Sequence, residues 1–210
     1  MSLGRFITFE GGEGAGKTTH LQFIYDYLTS HHIPVIATRE PGGTPVAEKI
    51  RDILLRHDEE MLTEHAELLL IFAARAQHYH HVIQPALSQG QWVLCDRFTD
   101  ATYAYQGGGR NMDIKTIAWL EQLVLGQSKP DLTLLFDVPV EVGMARARAR
   151  GKLDRFERES DSFFQDVRRA YLLQAKLDSQ RIRIINANQP LIDVQRDVLA
   201  ILTPWIKNER

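Results

Sequence analysis

Short apolar runs alternate along the chain with longer segments in which apolar residues recur every three or four positions. Runs of four or five residues with few polar members are typical of strands buried on both faces. We predict five such strands, at residues 6–9, 34–38, 92–95, 132–136 and 182–185. The segments between them have helical spacing, and in the last one a single face carries Val194, Val198, Ile201, Leu202 and Trp205.

Strands that alternate with helices predict an α/β fold, with a roughly five-stranded parallel sheet between layers of helices. No repeat, low-complexity segment or long linker divides the chain, so we expect one domain over residues 1–210 that binds ligands at the carboxyl ends of the strands. Residues 61–89 are helical in pattern and are expected to bend ahead of Pro85. Residues 146–161 are densely charged, which is typical of a solvated surface or of a mobile lid.

A glycine-rich loop follows the first strand and reads Gly-Gly-Glu-Gly-Ala-Gly-Lys-Thr over residues 11–18. It matches the pattern of Gly, four residues, Gly, Lys, and Ser or Thr, whose backbone N–H groups surround a phosphate. Lys17 would add charge for the outer phosphates, Thr18 would offer its hydroxyl to Mg²⁺, and the helix beginning near Gly16 would point its positive end at the anion. A glycine-rich turn without a ligand is the alternative, but the strand before the loop and the helical pattern after it favour a nucleotide site.

The composition narrows the class of protein. Hydrophobic residues make up 44% and charged residues 25% of the 210, and the formal net charge of −2 gives no general attraction for nucleic acid. The single cysteine, Cys95, excludes an intramolecular disulfide and suits a reducing compartment. We see no secretory leader and no run of 18 apolar residues, so we expect a cytoplasmic protein without membrane contact. His78, His80 and His81 lack partners at metal-ligand spacing and are interpreted as a solvated helix face.

Two of the predicted strands end in a carboxylate that is placed for a metal ion. The strand at 92–95 leads into Asp96 and Arg97, and the strand at 132–136 leads into Asp137. A carboxylate at a strand tip beside the phosphate loop holds Mg²⁺ directly or through water, and an adjacent guanidinium grips a phosphate. We favour Asp96 because the arginine follows it, and Asp137 remains the alternative.

The segment Thr-Arg-Glu-Pro-Gly-Gly-Thr, residues 38–44, follows the second strand. It is an ordinary Pro-Gly turn with Thr44 capping the next helix, or a loop that presents Arg39 to an acceptor phosphate. Phe72 and Arg75 lie on the long helix, where a phenylalanine is normally part of the core. Only an open cavity beside Phe72 would make its ring a stacking platform.

Aromatic, amide and glycine residues are combined in the segment Tyr-Ala-Tyr-Gln-Gly-Gly-Gly-Arg, residues 103–110. Three glycines alone predict a loop. In that loop the amide of Gln106 is suited to the edge of a base, and Tyr105 to a position beside the sugar.

Three arginines alternate at positions 146, 148 and 150. Arg146 and Arg150 are four apart and share a helix face, whereas Arg148 points elsewhere. The pattern indicates either a solvated basic helix end or arginines delivered to a transferring phosphoryl group.

Together these segments resemble the thymidylate kinase family over nearly the whole chain. The phosphate loop is common to many NTPases, but four additions stand in the order and spacing of this family: residues 38–43, residues 72–75, residues 96–97 with 105–109, and the arginines of 146–150. The resemblance implies a P-loop NTPase three-layer sandwich of the nucleoside monophosphate kinase type, with a lid at about 146–161. It also implies Mg²⁺-dependent phosphoryl transfer from ATP to dTMP in the dTTP pathway, and a homodimer.

The resemblance assigns the donor side residue by residue. Lys17 and the loop amides would hold the ATP phosphates, with Thr18 and Asp96 at the metal. The ATP-binding positions implied are Gly11, Gly12, Glu13, Gly14, Ala15, Gly16, Lys17, Thr18, Thr19 and Arg146.

For the acceptor phosphate and sugar, the resemblance implies a clamp made by Arg39 and Arg97. Tyr105 matches the residue that crowds the ribose 2′ position. Glu13 matches the acid that contacts the 3′-OH.

For the acceptor base, the resemblance assigns Phe72 to stacking on thymine and Arg75 to its carbonyl edge. Thr102 and Gln106 correspond to polar contacts on the base.

The resemblance also bears on catalysis. Some members carry a catalytic arginine in the phosphate loop; here Gly14 stands after the acid, as in members that use lid arginines. Arg150 would then reach the transferred phosphoryl group, and the catalytic set implied is Lys17, Arg39, Arg97 and Arg150. Phe98 departs from the Tyr or His common after the Asp-Arg pair, which leaves that pair intact.

Two other functions remain open from the residues alone. Another nucleoside monophosphate kinase, acting on dUMP or a different acceptor, would need most of the same groups, because one methyl group is worth only ~1–3 kcal/mol. An ATP-driven switch would leave the acceptor-side arginines without a purpose.

Overall fold

The structure, a computed structural model, describes residues 4–56, 60–151 and 154–207. Five strands in these ranges form one parallel sheet in the order β2-β3-β1-β4-β5. The strands are β1 (Phe6–Glu10), β2 (Val35–Arg39), β3 (Trp92–Asp96), β4 (Leu132–Asp137) and β5 (Ile182–Asn186). All five predicted strands and the α/β class are thus confirmed.

Helices occupy the segments between the strands, as the apolar spacing predicts. The α-helices are α1 (Lys17–Ser30), α2 (Pro45–Leu55), α3 (Glu64–His78), α4 (Gln84–Ser88), α5 (Thr99–Thr102), α6 (Ile114–Leu125), α7 (Val140–Ala149), α8 (Asp161–Leu177) and α9 (Leu191–Lys207). Two π-helical turns, Tyr79–Ile83 and Tyr103–Gly109, and a short 3₁₀ helix, Phe156–Arg158, complete the order. Within the described ranges, no helix is both long enough and apolar enough to cross a membrane.

Helices cover both faces of the sheet, as the uninterrupted apolar strands require. On one face Ile7 of β1 packs with Ile24 of α1 and Val198 of α9, and all three are fully buried. On the other face Leu135 of β4 packs with Val167 of α8. The sheet therefore leaves its carboxyl edge as the place where ligands can enter.

Central strand β1 lies between β3 and β4: the chain first adds β2 and β3 on one side of it and then crosses to β4 and β5 on the other. Ile7 is level with Leu94 on one side and Leu132 on the other. A crevice opens outside the carboxyl ends of the strands at such a switch point. Gly11–Thr18, the phosphate loop, follows β1 there.

The long helical stretch predicted at 61–89 is continuous from Glu64 to Ser88, but it contains the π-helical turn Tyr79–Ile83. Pro85 has no N–H and its ring would clash with the carbonyl group four residues earlier, which accounts for the widened turn ahead of it. The stretch begins where the Thr63 side chain accepts a hydrogen bond from the Ala66 N–H at 3.3 Å.

The prediction of a loop at the three glycines is wrong. Gly107, Gly108 and Gly109 close the π-helical turn Tyr103–Gly109, which packs against α8. A Cβ atom on Gly109 would overlap the ring of Phe163, so glycine is needed for close approach rather than for a flexible loop.

The predicted lid at 146–161 contains the end of α7, the 3₁₀ helix and the start of α8. Lys152 and Leu153 lie outside the described residues. The described part of the segment ends where Ser160 caps α8 by accepting a hydrogen bond from the Phe163 N–H at 3.2 Å.

Candidate active site

A cavity of about 800 Å³ opens at the carboxyl edge of the sheet, between the phosphate loop, β2, β3 and the predicted lid. It brings together most of the residues that the sequence singled out. Those that line it are Glu13, Gly14, Ala15, Gly16, Lys17, Thr18, Thr19, Arg39, Arg75, Asp96, Arg97, Thr102, Tyr105, Gln106, Arg146 and Arg150. Gly11 and Gly12 lie in a smaller adjoining cavity behind the loop.

The phosphate loop has the wrapped form that the pattern predicts. Lys17 Nζ donates to the carbonyl oxygens of Gly11 at 3.0 Å and Gly12 at 2.8 Å, which holds the ammonium group across the loop. Gly14 has φ +64°, and a Cβ atom there would overlap the carbonyl oxygen of Gly143 in α7. The loop thus rests directly on the backbone of α7.

The Lys17 ammonium group is buried among charged neighbours. Burial lowers the pKa of Lys17 to about 8, and repulsion from Arg97 acts in the same direction, against attraction by Glu13 and Asp96. An anionic ligand at the loop would reverse this shift, because it stabilises the charged form.

Thr18 and Asp96 meet at the edge of the loop, where the Thr18 hydroxyl donates to Asp96 Oδ2 at 2.8 Å. These hard oxygen donors, a hydroxyl and a carboxylate that both line the cavity, fit Mg²⁺ that takes its remaining ligands from phosphates and water. Asp137, the alternative, is already held by Arg168 through two hydrogen bonds of 2.7 and 2.9 Å. In the part of the chain that the structure describes, no group of three or more His, Cys, Asp or Glu residues is arranged to hold a metal by itself.

Arg97 crosses the cavity floor to Glu13. Its Nη2 donates to Glu13 Oε1 at 2.6 Å, and the hydroxyl of Tyr105 donates to the same oxygen at 2.9 Å. Burial alone would raise the pKa of Glu13, but the charges of Arg97 and Lys17 outweigh it and hold that pKa below its ordinary value. The carboxylate is therefore ionised and neutralises part of a strongly positive site.

The backbone of Arg97 is in the left-handed region, with φ +69°. This conformation is uncommon for a residue with a side chain and concentrates at functional sites. Its N–H donates to the carbonyl oxygen of Phe9 at 3.0 Å, so the turn after β3 is held against β1 and directs the side chain into the cavity.

Arg75 is fixed by two hydrogen bonds and keeps one nitrogen unpaired. Its Nε donates to Glu40 Oε2 at 2.7 Å and its Nη2 to the carbonyl oxygen of Phe98 at 3.0 Å. Its Nη1 is buried and has no hydrogen-bond partner. Arg75 lines the cavity, so a small shift of this side chain would present the unpaired nitrogen to a ligand acceptor.

Phe72 lies beneath Arg75 rather than on the cavity wall. Its ring is 2% exposed, packs with Leu68 and Ile117, and is covered by the Arg75 guanidinium at 4.9 Å from the ring centroid. The ring of Phe72 is therefore not exposed to the cavity in this structure. Its stacking on thymine stays a prediction.

Thr102 and Gln106, the expected base contacts, line the cavity from α5 and the π-helical turn that follows it. Both are 2% exposed. Gln106 Nε2 donates to Glu67 Oε1 at 2.8 Å, which fixes the orientation of its amide.

The remaining arginines stand at the cavity rim. Arg39 pairs with Glu48 at 2.9 Å and keeps a 53% exposed side chain. Arg146 donates to the carbonyl oxygen of Ala187 at 3.2 Å, and Arg150 pairs with Glu157 at 2.8 Å. Arg146 and Arg150 both line the cavity, as their spacing on one helix face predicts.

Sequence reasoning missed the buried charges that hold this site. His78, interpreted as solvated, is fully buried: its Nδ1 lies 3.0 Å from Glu40 Oε1 and its Nε2 2.7 Å from the Thr38 hydroxyl. Glu67 was also missed, although Glu67, Ile71 and Arg75 recur at four-residue spacing along α3. A charged residue on the apolar stripe of a helix, in line with a predicted site residue, is the signal that would have found it.

Comparison with known proteins gives a consistent result. The family described as thymidylate kinase matches residues 9–198. The thymidylate kinase of Pseudomonas putida (strain W619) is 57% identical over 197 residues, which are 94% of this chain and 95% of that protein. The thymidylate kinase of Pseudomonas savastanoi pv. phaseolicola (strain 1448A / Race 6) is 54% identical over 207 residues, which are 99% of each chain. The crystal structure of thymidylate kinase from Ehrlichia chaffeensis superposes with a TM-score of 0.78 at 33% identity, covering 95% of this chain and 98% of that one.

Proposed function

Because the chain belongs to the thymidylate kinase family, we propose that it transfers the γ-phosphoryl group of ATP to dTMP, giving ADP and dTDP for dTTP synthesis. The observation that carries the acceptor assignment is that Arg75, Thr102 and Gln106 line the same cavity as the phosphate loop, with a guanidinium, a hydroxyl and an amide suited to the polar edge of thymine. A cytoplasmic location accompanies this proposal, since the free and buried Cys95 suits a reducing compartment.

On the donor side, the loop amides and Lys17 hold the β- and γ-phosphates of ATP. Thr18 and Asp96 hold Mg²⁺, which supplies positive charge to the phosphate oxygens when it is bound. Arg146, at the rim beside Ala187, is placed for the adenine side of the nucleotide.

On the acceptor side, Arg97 and Arg39 take the dTMP phosphate from the ends of the adjacent strands β3 and β2. Glu13, already ionised against Arg97, accepts from the 3′-OH of the sugar. The ring of Tyr105 lies 4.8 Å from the Arg97 guanidinium and crowds the 2′ position, where a ribonucleotide carries an extra hydroxyl.

The reaction needs positioning and charge rather than covalent chemistry, because both substrates are polyanions that repel each other. Arg150 is the arginine for the transferred phosphoryl group, since it lines the cavity from the predicted lid at 146–161. Closure of that segment would also exclude water, which otherwise competes with dTMP for the phosphoryl group.

The test is ADP release from Mg·ATP with dTMP, dUMP, dCMP or dGMP, and with no acceptor. We expect rapid release with dTMP, far less with the other monophosphates, and almost none without acceptor. Preference for another monophosphate would overturn the assignment of the base pocket to thymine but not the assignment of the phosphate loop to ATP. Fast release without acceptor would instead favour an ATP-driven switch.

The lowered pKa of Lys17 predicts the pH dependence of ATP binding. Phosphate binding requires the charged amine, whose pKa in the free protein is about 8. The affinity should therefore be constant below about pH 7 and fall as the pH rises through 8, approaching a tenfold loss per unit. Calorimetry in buffers of different ionisation heat should show proton uptake on ATP binding near pH 8.

Lys17→Arg is the matched control, because a guanidinium stays charged throughout this range. Its ATP affinity should be lower at neutral pH but flat with pH. A flat profile for the wild type would contradict the assignment of the phosphate charge to Lys17.

We propose in addition that the enzyme is a homodimer that pairs through α6. Trp119 and Leu123, one turn apart on that helix, are 63% and 66% exposed, whereas Ile117 on its other face is fully buried. Large apolar side chains exposed side by side favour a contact with another surface.

Sedimentation should show that the wild type is a dimer and that Trp119→Glu is a monomer. Leu177→Glu, at the end of α8, is the control and should remain a dimer. A monomeric wild type would contradict the proposal.

A further inference from the structure

Glu67 of α3 is a buried carboxylate to which the proposed reaction assigns no role. The residue is 1% exposed and sits behind the wall of the acceptor cavity, beyond reach of solvent. Burial alone would raise the pKa of Glu67, but hydrogen bonds from Gln106 and the arginines around it hold that pKa below its ordinary value. An ionised, buried carboxylate is costly unless its partners are well placed, so its contacts show what it is for.

Both oxygens of Glu67 are occupied, and by different parts of the molecule. Oε1 accepts from Gln106 Nε2 at 2.8 Å and from Arg110 Nε at 3.3 Å. Oε2 accepts from Arg155 Nη2 at 2.6 Å and from Arg110 Nη2 at 3.3 Å. Gln106 is the expected contact to the acceptor base, and Arg155 belongs to the charged segment 146–161. One carboxylate therefore joins the base pocket to that segment.

Arg155 is the anchor of its segment. It is only 6% exposed, its Nε donates to the carbonyl oxygen of Leu54 at 2.7 Å, and its own N–H donates to that of Leu55 at 3.3 Å. These carbonyl groups belong to the last turn of α2, where helix carbonyls have no partner within the helix. Arg155 thus pairs the free carbonyl groups at the end of α2, and its guanidinium also reaches the buried Glu67 carboxylate.

The anchored segment forms part of the cavity wall. Asp154, Phe156 and Glu157 all line the cavity, and Glu157 Oε1 accepts from Arg150 Nη2 at 2.8 Å. The position of Arg155 therefore determines the position of Glu157. Through its ion pair with Glu157, the Arg150 guanidinium is positioned as well.

We propose that Glu67 is a positioning residue that couples acceptor binding to docking of residues 154–159, by holding Gln106 with one oxygen and Arg155 with the other. This rests on the proposed function. When Arg155 is docked, the Glu67 carboxylate is fixed and presents the Gln106 amide to the base. When Arg155 withdraws, Glu67 Oε2 loses its shortest contact and keeps only the longer one from Arg110, so the carboxylate is no longer fixed. Such coupling is reciprocal, so the acceptor must favour docking as much as docking favours the acceptor.

The test uses Arg155→Ala in the full chain, with Arg148→Ala as the matched control. Arg148 lies in the same segment but is 63% exposed and pairs with Asp161 only at 3.8 Å. Two quantities are measured without ATP: the Kd of dTMP by calorimetry, and hydrogen exchange in peptides covering residues 154–159 with and without dTMP. Neither a base contact alone nor a purely structural ion pair would link these two readouts.

In the wild type, dTMP should slow exchange in residues 154–159. In Arg155→Ala the Kd of dTMP should rise by about tenfold, within the range typical of coupled sites, and dTMP should no longer slow exchange there. Arg148→Ala should match the wild type in both measurements. Glu67→Gln should reproduce the Arg155→Ala result, and the double variant should show no further loss, because both changes break the same connection.

An unchanged Kd in Arg155→Ala, or dTMP protection that survives it, would overturn the coupling while leaving the kinase assignment intact. A wild type that does not bind dTMP would overturn the proposed function, and the coupling with it. Thermal unfolding of each variant, recorded alongside, separates a loss of coupling from a loss of the fold.

Discussion

Replacing Arg150 with alanine is expected to lower kcat by about 10²–10³-fold, the usual cost of removing one donor that stabilises transition-state charge. The Arg150 side chain is 62% exposed and held by one ion pair with Glu157, so little of the fold depends on it. Arg150 is expected to stabilise the transition state, because its positive charge lies near the phosphoryl group when negative charge is spread over the three equatorial oxygens. The Kd of dTMP should stay within about threefold of the wild type, because Arg150 is not part of the proposed acceptor clamp.

Single-turnover phosphoryl transfer, together with calorimetric binding of dTMP, checks this expectation. Arg148→Ala is the control, because it removes an equal charge two residues earlier in the same segment. A large rise in the Kd of dTMP with an unchanged single-turnover rate would assign Arg150 to acceptor binding and remove it from the chemistry.

Replacing Arg75 with alanine is expected to destabilise the protein by about 3–5 kcal/mol, the cost of breaking a buried ion pair from one side. The side chains of Arg75 and Glu40 are 2% and 3% exposed, and their contact is 2.7 Å. Without Arg75 the Glu40 carboxylate is left buried with His78, and the carbonyl oxygen of Phe98 also loses a donor. The ring of Phe72 loses its cover as well.

Urea unfolding measures this loss. Arg169→Ala provides the control, since that side chain is 77% exposed and pairs only with Asp166 on its own helix, which predicts a change below about 0.5 kcal/mol. Adding Glu40→Gln to Arg75→Ala should recover part of the stability, because the unpaired charge is then gone. A loss below about 1 kcal/mol for Arg75→Ala would mean that water reaches the site and that the pair is not truly buried.

The strands could be predicted because a parallel sheet covered on both faces demands uninterrupted apolar runs. Each strand extends one residue further at its carboxyl end than the run predicts, since Glu10, Asp96 and Asp137 continue the backbone pairing although their side chains are charged. A pattern of side-chain polarity cannot report this extension. The same residues are polar because they stand at the edge where ligands bind.

The phosphate loop could be predicted because its function depends on local spacing. Arg146 and Arg150 were placed correctly on one cavity-facing side for the same reason, since a helix fixes the relation of residues four apart.

The buried charges could not be predicted, because their partners are distant in the chain. Glu40 meets Arg75 from 35 positions away, and Glu67 meets Arg155 from 88. Periodicity within α3 reports which residues face inward, but it does not report which charge arrives from another element to compensate them. His78 was misjudged for this reason, because its contacts with Glu40 and Thr38 make burial of a polar ring favourable.

The contact of the phosphate loop with α7 restricts where residues can be inserted into or deleted from the chain. Gly143 approaches the carbonyl oxygen of Glu13 so closely that a Cβ atom would overlap it, which fixes α7 against the loop near its start. An insertion or deletion of one residue between Gly143 and Ala149 would turn Arg150 by about 100° around the helix axis, away from the cavity. We therefore expect natural variation in length to be excluded from this stretch and to collect after Gly151.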